Sequence, residues 1–65
     1  MLQMQALRPG TPVEVRSSFD RRWTRGFRVE SVEGGGYRLR RVSDGSVLPT
    51  VFKFDIVRQD GDRPL

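Results

Sequence analysis

The sequence predicts an all-β domain of five short strands, on three observations. Apolar residues recur mostly at every second position, as they do along a strand with one buried face. Glycine, proline and an Asp-Gly pair punctuate the chain at short, regular intervals. No segment carries the three-to-four-residue apolar spacing of an amphipathic helix.

The elements follow in order. Segment 12–18, PVEVRSS, sets Val13 and Val15 on one face and Glu14 and Arg16 on the solvent face, a first strand. Segment 23–33, WTRGFRVESVE, is long and β-rich; Phe27 and Val29 share a face, but Val32 falls out of phase, which predicts a bulge near Gly26 or Glu30–Ser31. Gly34, Gly35 and Gly36 read as a turn. Segment 37–43, YRLRRVS, alternates Tyr37 and Leu39 against Arg38 and Arg40. Asp44-Gly45 is the strongest hairpin signal. Segment 46–52, SVLPTVF, follows, with Pro49 marking an edge or a bend because proline donates nothing to a ladder. The link KFD precedes a last strand, Ile56-Val57-Arg58.

Five strands this short make a strongly bent sheet that closes to hide its edges, so the expected architecture is a small five-stranded SH3-like barrel. Its predicted core is Val13, Val15, Phe27, Val29, Leu39, Val47, Val51, Phe52, Ile56 and Val57. Residues 10–58 form the expected barrel, between a flexible N-terminal segment (1–9) and a flexible C-terminal tail (59–65). Tyr37, opening the third strand, is expected to cap the barrel end with its hydroxyl in water.

A chain of 65 residues buries only about 60% of its unfolded surface, so every apolar side chain matters. Cysteine and histidine are both absent, which removes disulfides, thiolate nucleophiles, Cys/His zinc sites and the usual neutral-pH general base. No enzyme, metal or cofactor is expected. No apolar run approaches the roughly 18 residues of a membrane span, and the opening MLQMQALRPG lacks a signal-peptide layout, so a cytoplasmic protein is expected.

Charge is uneven. Twelve Lys and Arg face eight Asp and Glu, a net +4. Residues 16–41 hold eight arginines against Asp20, Glu30 and Glu33, a local excess of five, whereas residues 42–65 hold three bases and four acids. Eleven of the twelve bases are arginine, a bias that GC-rich coding accounts for better than it accounts for the clustering.

The sharpest feature is FDRRWTR, residues 19–25, joining the first two strands. It interleaves the rings of Phe19 and Trp23 with Arg21, Arg22 and Arg25, a pattern that suits stacking on bases and pairing with phosphates. The competing reading packs Trp23, and Phe19 with it, into the core or rim. A second basic group, Arg38 and Arg40 with Arg41, lies on the third strand. Arg38 and Arg40 either extend the binding surface beside Arg28 and Arg16 or pair across strands with Glu14 and Glu30. The glycine run has neither the following helix nor the Lys-Ser/Thr of a phosphate loop.

The order of motifs resembles a known group. V13-E-V-R, R22-W-T-R-G26-F-R-V29, G36-Y-R-L, D44-G-S and D55-I-V-R58 are similar to the Tudor/Agenet domains, over residues 10–58. Those domains carry a Trp three residues before a small residue on the second strand, here Trp23 and Gly26. A Tyr-x-Val/Leu third strand, an Asp-Gly turn and a closing "D-hydrophobic-R" segment then follow in them. KOW-type barrels share the rhythm of residues 26–32. The Tudor resemblance implies a cage for methylated Lys or Arg, with Phe19 and Trp23 as walls and Asp44 as the acidic contact. The cage is incomplete: Arg16-Ser17-Ser18 and Val42-Ser43 stand where the family often places further rings.

The expected function is therefore a bacterial-type, non-enzymatic binding module. Its partner is nucleic acid, bound with little sequence specificity through Phe19, Arg21, Arg22, Trp23, Arg25, Arg38 and Arg40. The alternatives are an adaptor for acidic or extended peptides and a reader of methylated side chains through Phe19, Trp23 and Asp44. A monomer or weak homodimer without membrane contact is expected.

Overall fold

Alternation of apolar and polar residues builds five antiparallel strands in the computed structural model, which describes residues 6–61. They are β1 (Pro12–Arg16), β2 (Trp23–Glu33), β3 (Gly36–Arg41), β4 (Val47–Lys53) and β5 (Val57–Gln59), with a 3-10 turn over Phe54–Ile56 before β5. The strands form one sheet in the order β4-β3-β2-β1-β5. The described residues form no α-helix, and none of their helices is long and apolar enough to cross a membrane.

The long strand β2 serves two neighbours, its first half pairing with β1 and its second with β3. The irregularity expected at one of two places occurs at both. Val13 pairs with Phe27 and Val15 with Thr24, so Arg25 and Gly26 stand together opposite Glu14. Gly26 takes φ +101, a conformation L side chains avoid. The second shift, between Val29 and Ser31, leaves Glu30 bulged against β3. In β4 the register against β3 slips between Arg38 and Arg40, around Pro49 on this edge strand.

The two edges, β4 and β5, are consecutive in the chain. A flat five-stranded sheet would hold them about 19 Å apart at the usual strand spacing, yet Phe54–Ile56 alone connects them. At about 2 Å per residue that turn spans only about 8 Å from Lys53 to Val57, so the sheet curls to bring its edges together there. No ladder joins β4 to β5, and the sheet is not closed.

Inside the curl lie Val13, Val15, Val29, Tyr37, Leu39 and Val57, with Leu7, Phe27, Leu48, Phe52, Phe54 and Ile56 packed against them. Val47 and Val51, expected inside, are instead 42% and 37% exposed. Strand parity is the reason: Leu48 and Phe52 share the inward face, and Val47 and Val51 fall on the other. Tyr37 is also corrected. Its ring is buried against the edge of Phe54, centroids 5.0 Å apart, and its hydroxyl accepts the Leu7 N–H at 2.9 Å instead of facing water.

The turns differ in detail. Only Gly34 and Gly35 turn; Gly36 belongs to β3, where an added Cβ would overlap the Phe52 carbonyl. The Asp44-Gly45 loop covers residues 42–45, closed by Arg41 N–H to Ser46 O at 2.8 Å and Gly45 N–H to Arg41 O at 2.8 Å. Lys53 ends β4, and the last strand begins at Val57, not Ile56. Before β1, the Gly10 N–H donates to Val29 O and the Val29 N–H to Thr11 O. Residues 1–5 and 62–65 of the expected terminal segments lie outside the described residues.

Candidate ligand-binding surface

Between β1 and β2 the chain builds its own scaffold from Ser17 to Arg22. The Ser17 N–H donates to Arg22 O at 2.9 Å and the Arg21 N–H to Ser17 O at 2.8 Å. Ser17 Oγ accepts the Phe19 N–H, and Asp20 Oδ1 accepts the Arg22 N–H, both at 3.1 Å. Ser and Asp side chains commonly fold a loop this way. The turn also forces Arg21 to φ +59, the left-handed region. Its outcome is a phenyl ring held in water: Phe19 is 97% exposed.

Arg16, Arg21 and Arg22 lie on the same loop or at its base, all exposed. None has an ion-pair partner among the described residues. Arg16 pairs in register with Trp23, so both stand on the face of β1 that also carries Glu14.

Five other arginines are paired with carboxylates. Arg38 grips Glu33 with two nitrogens, at 2.8 and 3.0 Å, and donates to Leu48 O. The Arg38 bonds to Glu33, with a further one from Ser31, hold the Glu33 carboxyl down at about 2, and the bonds to Glu33 raise the Arg38 guanidinium above its ordinary value. Arg40 meets Glu30 at 2.8 Å and Arg41 meets Asp44 at 3.5 Å. Arg25 lies 3.7 Å from Glu14 and 3.3 Å from Asp60, and Arg58 donates to Glu14 at 2.9 Å. Arg28 spends one donor on the Gly10 carbonyl.

The sequence-predicted residues therefore separate. Phe19, Arg21 and Arg22 share the β1–β2 loop. Trp23 sits at its base, half-buried, with the Arg58 guanidinium carbon 4.0 Å from its ring centroid. Arg25 is tied to Glu14 and Asp60, and Arg38 and Arg40 are tied into ion pairs on β2 and β3; of these pairs only Arg40–Glu30 is the expected one. Phe19, almost fully exposed, is not packed against Trp23 as a second cage wall. Asp44 accepts from Ser46 N–H and Oγ at 3.0 and 2.7 Å, which, with Arg41 nearby, lowers its pKa.

Two residues central to this surface were not singled out for it from the sequence. Glu14, placed by alternation on the solvent face, is 1% exposed, because Arg25 and Arg58 close over it. Arg58 reaches it only because β5 pairs with β1, placing Arg58 opposite Glu14. The one local signal was the charge complementarity of V13-E-V-R and I-V-R58.

Comparison with protein-family models finds no match, and comparison with curated proteins finds none. The functional reading therefore rests on the residues themselves.

Proposed function

We propose that this chain is a small SH3-like, Tudor-like barrel that works as a non-enzymatic binding module. Its ligand is nucleic acid, engaged without sequence specificity by the β1–β2 loop. The curl that draws β4 and β5 together through Phe54–Ile56 supports the barrel reading.

One observation carries the ligand. Arg25, Arg38, Arg40, Arg41 and Arg58 have carboxylate partners, whereas among the described residues Arg16, Arg21 and Arg22 at the β1–β2 loop have none, as Arg8, Arg28 and Lys53 have none elsewhere. Arg16, Arg21 and Arg22 share that loop and its base with a phenyl ring in water. Guanidiniums pair with phosphates and release counterions, and an exposed ring stacks on a base. Arginine already matched to a carboxylate offers a phosphate much less.

Fluorescence anisotropy of a labelled oligonucleotide, titrated from low to moderate salt, tests this. Affinity should fall steeply with salt and vary little with sequence; no binding at low salt, or binding that salt leaves unchanged, would overturn the reading.

A peptide adaptor is the second reading. The exposed Val47 and Val51 on edge strand β4 favour it, beside a shallow groove of about 520 Å³ lined by Gly35, Val51, Lys53, Phe54 and Asp55. A captured partner that survives nuclease treatment would select it over nucleic acid.

A further inference from the structure

Trp23 and Glu14 together make a cation site, and the chain fills it from within. The Arg58 guanidinium lies 4.0 Å from the indole centroid. The same group donates from Nε to Glu14 Oε1 at 2.9 Å, and the Glu14 side chain is 2% exposed. All three residues face the same way: Glu14 and Arg58 are register partners, and Trp23 opposes Arg16, two residues along β1. A ring face beside a carboxylate is a donor set that holds an organic cation, guanidinium or alkylammonium.

We propose that Arg58 is the permanent occupant of this site and sets the specificity of the surface around it. While Arg58 lies on the indole, the covered face of Trp23 is closed to methylated ammonium or guanidinium groups and to nucleobases. Phe19 is then the ring open to a ligand. A tethered cation competes at high effective concentration, and a ligand would also have to part Arg58 from Glu14. Without the guanidinium, the indole and the Glu14 carboxylate, still beside Arg25, become a receptor for a quaternary ammonium ion. This holds whatever the β1–β2 loop binds.

Trp23 is the only tryptophan, so its emission reports on the site. Tetramethylammonium is titrated at constant ionic strength into the wild type, Arg58→Ala and Arg58→Gln, with far-UV circular dichroism confirming the fold. Both variants should give a saturable response with an affinity at least about tenfold above the wild type. Arg58→Gln keeps an amide donor toward Glu14 and carries the test if Arg58→Ala does not fold. Caesium quenching of Trp23, taken relative to quenching by neutral acrylamide, should rise from the wild type to either variant, since the guanidinium that repels caesium from the ring is gone. Equal binding by wild type and variants, a folded variant with no saturable response, or a caesium-to-acrylamide ratio that does not rise in the variants would each overturn the proposal.

Discussion

Glu14 and Arg58 stand opposite each other on β1 and β5 and join their charges at 2.9 Å, the acid sealed at 2% exposure and the base open at 42%. The asymmetry assigns their roles. A carboxylate withdrawn from water needs charged donors, whereas the half-solvated guanidinium keeps part of its hydration. Replacing the acid and replacing the base should therefore differ in effect.

Glu14→Ala should lower stability by about 2–4 kcal/mol, since it leaves a void at a buried position and removes the anion that Arg25 and Arg58 share. For a domain of this size that is a melting-temperature drop of at least about 10 °C. Arg58→Ala should be milder, because Glu14 keeps Arg25. Thermal unfolding followed by circular dichroism ranks the two; an Arg58→Ala loss equal to or above that of Glu14→Ala would contradict the assignment.

Arg21→Gly should maintain or raise stability while weakening ligand binding. Arg21 sits at φ +59, where an L side chain costs about 1 kcal/mol that glycine avoids. Glycine's greater unfolded-state freedom takes back part of this gain. The urea midpoint should hold or rise, and Arg21→Ala, which keeps the strained backbone, should show no such rise.

Gly36→Ala tests a close backbone approach between β3 and β4. A methyl there meets the Phe52 carbonyl, whose carbon would lie 2.7 Å away, and this neighbour is backbone that cannot swing aside. β4 must move, and the loss should be about 1–3 kcal/mol. Gly35→Ala, with open space around it, should cost well under 1 kcal/mol; equal losses at both positions would remove the steric account.

These positions also mark what the sequence makes legible. Val13 and Val15 alternate with charged neighbours, so their face follows from strand geometry alone. Gly26 and the phase break at Val32 announced a bent β2 because glycine and a broken alternation have few other uses in a strand. On β4 the apolar residues occupy both parities around Pro49, so choosing Val47 and Val51 over Leu48 needed the register with β3. The pairing of Glu14 with Arg58 spans 44 residues and exists only once β5 lies beside β1. The same limit hid which arginines are neutralised: Arg21 and Arg38 differ in their partners, and those depend on loop path and register.

Acid should unfold the protein partly through Glu33. Its carboxyl is held at about 2, chiefly by Arg38, so its folded value lies below its unfolded one. Its contribution is complete above the unfolded value near 4.5 and is lost as pH falls toward about 2. Asp44, also lowered, acts in the same direction. Urea midpoints of the wild type and Glu33→Gln should differ at pH 6 and converge as pH approaches 2; a gap that stays constant with pH would show that Glu33 carries no such linkage.

The loop itself separates by chemistry. Arg21→Ala combined with Arg22→Ala removes two phosphate partners, so the slope of log affinity against log salt should shrink by about 1.4 on single strands, at 0.7 per contact. Phe19→Ala removes a stacking ring worth about 1–3 kcal/mol, roughly a 5- to 150-fold loss of affinity, and should leave the slope unchanged because no charge is lost. Arg38→Ala, whose guanidinium is committed to Glu33, should change neither quantity beyond its effect on stability. Anisotropy titrations at three salt concentrations read both numbers for each variant. A slope that shrinks as much for Arg38→Ala as for the loop pair would place the ligand on the β3 arginines and not on the β1–β2 loop.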